Sequence, residues 1–342
     1  MSRVFLVTGG AGFIGSNYVY RLLSRGEKVI VFDNLSRAGA PRNMRWLSET
    51  FGSNTFELVV GDVRDAALLT ATVREADVIV HLASQVAVTT SVLHPREDFD
   101  INALGTFNIL EAARLSGRHP IIIYASTNKV YGGMETVPIV EDENRYRYAD
   151  RPEGISETEL LDFHSPYGCS KGAGDQYVRD YHRIYELPGV VLRQSCIYGP
   201  RQYGIEDQGW VAWFVIAGVT ERPVHIYGDG KQVRDLLYID DLMDAYDAVL
   251  ANIERAAGQI YNLGGGMENA ISIWQEFGPL LENLIGRKLP VIRSDWRPGD
   301  QRIFIADIRK AERELGWRPK VGIGDGLARL ITWVQENREL FD

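Results

Sequence analysis

Short aliphatic and β-branched runs alternate with amphipathic stretches through the first half of the chain, which predicts a parallel sheet covered by helices on both faces. The predicted strands are Val4 to Thr8, Lys28 to Phe32, Phe56 to Val60, Val78 to Leu82, Ile121 to Ala125 and Val190 to Arg193. Helical spacing occupies the intervals from about Phe13 to Arg25, Ala66 to Glu75, Phe99 to Ser116 and Pro166 to Tyr185, with Gly26 ending the first. The expected fold class is α/β, a doubly wound parallel sheet with right-handed crossovers. Ligands bind such sheets beyond the carboxyl ends of the strands, so the residues after each strand carry the candidate chemistry.

After Arg193 the rhythm changes to short strands, Gly-Pro punctuation and helices near Asp240 to Asn252, Ser272 to Leu284 and Asp307 to Leu315, read as a smaller C-terminal lobe. Leu236 to Leu263 reads strand, helix, strand and is suited to returning to the main sheet. The expected bounds are therefore 1–195 with 236–263 for a nucleotide-binding domain, and 196–235 with 264–342 for the lobe. Gly132 to Ser165 is polar and aperiodic, a long loop of the kind that more often serves function than packing.

Composition adds exclusions. The chain has 342 residues, 45% hydrophobic, 10% aromatic and 24% charged, far from disorder, collagen or coiled coil. Its net charge of −9 disfavours bulk attraction to nucleic acid or anionic lipid, so any anionic ligand needs local devices. Cys169 and Cys196 form neither a disulfide framework nor a zinc spacing, and the six histidines show no metal-binding pair; no metal is expected. No apolar run is long enough to cross a membrane, and Met1-Ser2-Arg3 leads directly into Val4 to Val7 without a signal-peptide pattern, so a cytoplasmic protein is expected.

Thr8-Gly9-Gly10-Ala11-Gly12-Phe13-Ile14-Gly15 joins the first strand to the first helix, and Asp33 follows at the end of the second strand. Glycines there let the backbone approach a pyrophosphate, and the helix start offers unpaired N–H groups. An Asp at that position accepts from a ribose 2′-OH and repels a 2′-phosphate, which favours NAD over NADP; the plainer alternative is a turn with a capping Asp. Asn34, Ser36 and Arg37 adjoin it. Asp62-Val63 and Leu82-Ala83-Ser84 follow the third and fourth strands on the same sheet edge. In Tyr167-Gly168-Cys169-Ser170-Lys171 the Tyr and Lys are one helical turn apart on one face, after a strand ending in Ala125-Ser126-Thr127. A Tyr that takes a hydroxyl proton near neutrality must fall from about 10 towards 7, a change of about 4 kcal/mol, to which Lys171 is expected to contribute.

The Gly9/Gly12/Gly15 turn, Asp33, His81-Leu82-Ala83, Thr127, the Tyr167 and Lys171 pair, and Arg234-Asp235 together resemble the extended short-chain dehydrogenase/reductase enzymes of nucleotide sugars, over essentially the whole chain. The resemblance implies a Rossmann domain holding NAD, Tyr167 as base, Thr127 on the substrate hydroxyl, Lys171 on the nicotinamide ribose, and a homo-oligomer, dimer or tetramer, built through the Phe99 to Ser116 and Pro166 to Tyr185 helices. In the 4,6-dehydratases of this family an Asp-Glu pair follows the Thr; here Asn128 and Lys129 stand there, and neither supplies the carboxyl that elimination needs. Redox-neutral epimerisation through a keto sugar remains. Asn34-Leu35-Ser36-Arg37, Ser126 to Lys129, Asp162 to Gly172, Asp207 to Trp210 and Gln232 to Asp235 are similar to the CDP-paratose (CDP-tyvelose) 2-epimerases, which invert carbon 2 of a CDP-hexose. Gln194-Ser195-Cys196 departs from that pattern, where a His follows the Arg. A UDP-sugar 4-epimerase and a non-catalytic NAD-binding scaffold stay as alternatives.

Substrate-side candidates are Thr89, Thr127, Asn128, Gln194, Arg201, Arg234, Arg297 and Arg302, the arginines because a diphosphate on an acidic protein needs cationic partners. For any one of them a surface ion pair is as good a reading. Trp210 and Trp213 read as packing, His164 as a loop histidine, and Cys169 as packing turned away from Tyr167.

Overall fold

A computed structural model describes residues 3–296 and 301–341. The chain runs β1 (Val4–Thr8), α1 (Phe13–Ser24), β2 (Lys28–Asp33), α2 (Ala40–Phe51), β3 (Glu57–Val60), α3 (Ala66–Val73), β4 (Val78–His81), α4 (Val88–Leu93), α5 (Pro95–Phe99), a π turn (Asp100–Leu104), α6 (Gly105–Leu115) and β5 (Ile121–Thr127). It continues through β6 (Ile139–Glu141), β7 (Tyr146–Tyr148), α7 (Ser165–Tyr185), β8 (Gly189–Gln194), β9 (Ile197–Tyr198), α8 (Trp210–Val219), β10 (Val224–Tyr227), β11 (Val233–Asp235), β12 (Leu237–Tyr238), α9 (Ile239–Ala251), α10 (Ile253–Ala256) and β13 (Ile260–Leu263). The last part holds β14 (Ala270–Ser272), α11 (Phe277–Ile285), β15 (Val291–Ser294), β16 (Ile303–Phe304), α12 (Arg309–Leu315) and α13 (Ile323–Glu336).

All six predicted strands form, and with β13 they make a seven-stranded sheet in the order β13-β8-β5-β4-β1-β2-β3. β1 pairs in parallel with β2 and β4, β2 with β3, and β4 with β5. The order reverses between β1 and β4, so a crevice opens at their carboxyl ends, where Thr8 lies opposite His81. β4 is buried along its whole length because helices cover both faces. Leu6, Ile30, Phe32, Ile79, Ile122 and Tyr124 from the sheet join Leu69, Ile109, Leu110 and Val178 from the helices in one core.

The helix expected over Phe99 to Ser116 forms, but it begins earlier, at Pro95, and carries a π turn at Asp100–Leu104 with helical backbone on either side. Pro95 opens α5 directly after His94, and the π turn passes into α6. Among the helices without a sequence expectation are α2, α8 and α13. α2 buries Ala40, Asn43, Met44 and Leu47, a single stripe at i, i+3, i+4 and i+7. α8 is apolar on nearly every face and is buried almost throughout, so it carries no periodic signature.

The chain divides into two compact units: Met1–Val130, Phe163–Arg193 and Met243–Tyr261 form the first, and Tyr131–Asp162, Gln194–Leu242 and Asn262–Asp342 the second. Relative to the expected bounds, residues 131–162, 194–195, 236–242 and 262–263 group with the second unit. The reason is local pairing. The segment Gly132 to Ser165 is not a bare loop: β6 and β7 form an antiparallel hairpin, Tyr148 Oη donates to the Ile303 carbonyl at 3.1 Å, and Ile155 N donates to the Ile305 carbonyl at 2.8 Å. β12 pairs with β9 and not with the main sheet. β11 lies between β14, antiparallel, and β16, parallel. No helix among the described residues is long and apolar enough to cross a membrane.

Candidate active site

The turn after β1 is held by close backbone packing. Gly9 has φ +70°, and a Cβ there would lie 2.7 Å from Ala83 N; a Cβ on Gly15 would collide with the Gly9 carbonyl. Gly12 stands at the N-cap of α1 without a capping side chain, so the first-turn N–H groups of Phe13, Ile14 and Gly15 are left for an anion. Asp33 combines both sequence readings. Its Oδ2 accepts from Ala11 N at 3.0 Å and its Oδ1 from Leu35 N at 2.8 Å, which clamps the turn while its remaining lone pairs are available to a ribose. Burial pushes the Asp33 carboxyl above its ordinary pKa, opposed by those N–H groups and by Arg37. A narrow backbone cradle, an uncapped helix start and an acidic acceptor together fit a dinucleotide.

α7 brings Tyr167 and Lys171 to one buried face, with Pro166 in its first turn. Thr127 ends β5, and its hydroxyl bonds Tyr167, donates to Asn128 Oδ1 at 3.3 Å and accepts from Lys129 N at 3.2 Å. Tyr167 is pushed up to about 12, first by burial and then by Asp98, against the Thr127 hydroxyl and the Arg37 guanidinium. The expected help from Lys171 is therefore not what acts on the phenol here. The Lys171 ammonium sits 4.4 Å from the centre of the Tyr124 ring, and burial lowers it to about 7 against the pull of Asp98 and Asp175.

Beneath this pair lies a buried polar network that the motifs do not mark. Arg193 Nε donates to Asp175 Oδ2 at 2.8 Å and Nη2 to Oδ1 at 3.0 Å, both residues being at most 1% exposed. Ser126, which the strand-end position makes a cofactor-side candidate beside Thr127, commits its hydroxyl to Asp175 Oδ2 at 2.8 Å. Asp175 lies four residues beyond Lys171 on the same helix face, a spacing that announces it once Lys171 is singled out. His81 bridges Thr8 Oγ1 at 2.7 Å and Thr106 Oγ1 at 3.0 Å, and burial lowers it to about 3, so it is neutral.

The other candidates are placed as follows. Asp62 is held well below the carboxylate range by the bidentate Arg64 guanidinium and also accepts from Asn34. Ser36 N donates to Asn34 Oδ1 at 3.1 Å. Val63 is buried in the core. Leu82 N donates to the Thr8 carbonyl and Ala83 N to Thr8 Oγ1, and the Ser84 hydroxyl is engaged with Asn102 Oδ1 at 2.8 Å. Thr89 is exposed on α4, and Cys169 is exposed as well, in place of the expected packing. Gln194, Arg201, Arg234 and Arg302 belong to the second unit. There Arg234 is buried, donating to the Val233 and Gln301 carbonyls, and Arg302 lies beside β11 with its guanidinium over the Tyr146 and Trp296 rings. Arg201 has φ +68° and faces the Trp333 ring. Gln194 ends β8, buried. Arg297 lies outside the described residues.

The sequence pattern of the GDP-mannose 4,6 dehydratase family matches residues 6–330. The chain belongs to that family. It is an extended short-chain dehydrogenase/reductase, and the family's relatives of this chain include both epimerases and dehydratases. A CDP-paratose 2-epimerase of Salmonella typhi is 45% identical over 335 residues, spanning 96% of this chain and 98% of its own. A crystal structure of dTDP-glucose 4,6-dehydratase from Streptomyces venezuelae with NAD bound superposes with a TM-score of 0.84 at 32% identity, covering 98% of each chain. UDP-glucose 4-epimerase of Thermotoga maritima, solved with UDP-glucose, gives 0.83 at 30% identity, covering 98% of this chain and 99% of that one.

Proposed function

We propose that this protein inverts carbon 2 of a CDP-linked hexose of the CDP-paratose or CDP-tyvelose type, by way of a transient keto sugar. At the coarser level it is an NAD-dependent epimerase of nucleotide sugars. The observation that carries the finer reading is the 45% identity to a CDP-paratose 2-epimerase along nearly the whole chain. Asn128 and Lys129, directly after Thr127, support it by leaving no carboxyl for elimination.

In this reading Gly9, Gly12, Phe13, Ile14, Gly15 and Asp33 hold the dinucleotide, with Asn34, Ser36, Arg37, Asp62 and the Leu82 to Ser84 turn around it. NAD, when bound, supplies the reversible hydride acceptor. The Tyr167 phenolate takes the proton from the hydroxyl at the carbon to be inverted and returns it once the keto sugar has presented its other face. Thr127 donates to that oxygen and fixes its position, and Asn128 accepts the Thr127 proton between turnovers. Lys171 is assigned to the nicotinamide ribose, its ammonium held over the Tyr124 ring. Arg201, Arg234, Arg297 and Arg302 are assigned to the sugar nucleotide, with Gln194 and Thr89 on the sugar side. The first unit is thus the NAD domain and the second the nucleotide-sugar lobe. Phe107, Tyr177, Ile184 and Tyr185 leave an exposed apolar face on α6 and α7, with Phe107 and Tyr177 in edge contact at 5.8 Å; in this reading a second copy of the chain covers it.

Thermal unfolding with added nucleotides tests the base. A ligand that binds only the folded protein stabilises it by about 2.7 kcal/mol at a hundredfold excess over its Kd. CDP is expected to raise the melting temperature more than equal concentrations of UDP or GDP. A larger shift with UDP would favour the UDP-sugar 4-epimerase reading instead.

A further inference from the structure

Asn43 is the polar member of the stripe that α2 turns inward: Ala40, Met44 and Leu47 beside it are apolar, and Asn43 itself is 1% exposed. The two ends of its amide are used unequally. Nδ2 donates to the Ala11 carbonyl at 3.0 Å, while Oδ1 is buried with no hydrogen-bond partner among the described residues. A carbonyl only accepts, so it is the NH2 end of the amide that must face Ala11. A buried amide with an idle acceptor is less stable than an apolar side chain of the same size in the same place. Packing therefore does not account for an Asn at this position, and the bond to Ala11 does.

Ala11 in its turn is held on both sides. Its N–H donates to Asp33 Oδ2 at 3.0 Å at the end of β2, and its carbonyl accepts from Asn43 on the helix that follows β2. The Ala11–Gly12 peptide group is also fixed at its other end, where Gly12 N donates to the Gly9 carbonyl at 3.0 Å. Gly12 is the N-cap of α1, and its carbonyl takes a bond of the first helical turn, from Ser16 N at 2.9 Å. The plane of this peptide thus sets the direction in which the first-turn N–H groups of Phe13, Ile14 and Gly15 point.

We propose that Asn43 is a positioning residue for the dinucleotide: by pinning the Ala11 carbonyl it holds the turn between β1 and α1, before any ligand arrives, in the shape that receives the pyrophosphate. It acts through the Ala11–Gly12 peptide. The inference rests on the assignment of this turn to NAD and is independent of the sugar that is turned over. Without the Asn43 bond the peptide has other orientations open to it, and binding must then select one of them, which lowers affinity.

Calorimetric titration of the full-length protein with NAD, beside thermal unfolding of the nucleotide-free form, tests this. Asn43→Leu keeps the volume of the side chain and removes both ends of the amide. It is expected to raise the Kd of NAD about tenfold, the worth of one hydrogen bond to a buried carbonyl, with the nucleotide-free melting temperature close to wild type. A packing role predicts the reverse, a lower melting temperature with an unchanged Kd in the protein that remains folded. Asn43→Asp addresses the donor itself. Protonated, its carboxyl offers an O–H to Ala11; ionised, it turns only acceptors towards a carbonyl. The ratio of its Kd to that of the wild type is therefore expected to rise with pH, whereas the ratio for Asn43→Leu stays constant. An unchanged Kd in Asn43→Leu overturns the proposal, and should that variant not fold, a pH-independent ratio in Asn43→Asp does so. Gly15→Ala, which drives a Cβ into the Gly9 carbonyl, controls for the turn. If it binds NAD as tightly as the wild type, the assignment of the turn to the dinucleotide falls, whereas wild-type binding by Asn43→Leu alone counts only against Asn43.

Discussion

Tyr167→Phe is expected to lower kcat for epimerisation by a factor on the order of 10² to 10⁴, the usual contribution of a positioned general base, with little change in stability. The phenol oxygen is buried against Thr127, and Phe keeps the ring that fills the site, so the helix keeps its packing when the oxygen is removed. The loss should appear in kcat more than in KM, because proton transfer occurs in the transition state and not in binding. Steady-state kinetics with the product resolved by chromatography measures it. A variant that keeps wild-type kcat would remove Tyr167 from the chemistry and revive the non-catalytic reading.

The second large effect lies under the site. Asp175→Ala leaves the Arg193 guanidinium, 1% exposed, without its counter-ion and strips Ser126 of its acceptor. Breaking a buried pair by removing one partner costs about 3–5 kcal/mol, because the surviving charge stays buried. Urea unfolding should show that loss. Arg193→Met removes the other partner and should fall in the same range, whereas a loss below about 1 kcal/mol in both would put the pair on a level with exposed ion pairs. Ser126 adjoins Thr127 at the end of β5, so partial unfolding here also misplaces the hydroxyl next to Tyr167. Residual activity in folded Asp175→Ala is expected to fall as well.

The central sheet was legible because parallel strands covered on both faces read as unbroken apolar runs: β1, β2 and β4 lie where those runs lie. The candidate residues Gly9 to Gly15, Asp33, Tyr167 and Lys171 lie at the strand ends and on the helix face where their spacing puts them, because each position follows from a single turn, strand end or helical turn. α8 was not legible because a helix apolar on all faces has no period, and the 131–162 segment was not, because its pairing partners, Ile303 and Ile305, lie over 140 residues later. Lys171 was expected to drag Tyr167 down, yet burial dominates both groups, raising the phenol and depressing the ammonium. The field that favours the phenolate must therefore be completed by the bound ligands together with Thr127 and Arg37.

The overall charge of −9 places a further demand on the second unit, where Arg234 is tied to backbone carbonyls and Arg302 is held against two rings. Guanidinium groups fixed in this way lose little side-chain freedom when an anion arrives, which under the proposed assignment would offset the unfavourable net field.

Incubation with NAD and CDP-paratose in deuterated water, followed by mass spectrometry and NMR of the product, tests the proposed reaction most directly. The expected product is the sugar inverted at carbon 2, with unchanged mass and no deuterium at that carbon, because the hydrogen leaves and returns without meeting solvent. Deuterium at carbon 2, inversion at carbon 4, or a product lighter by one water would contradict it.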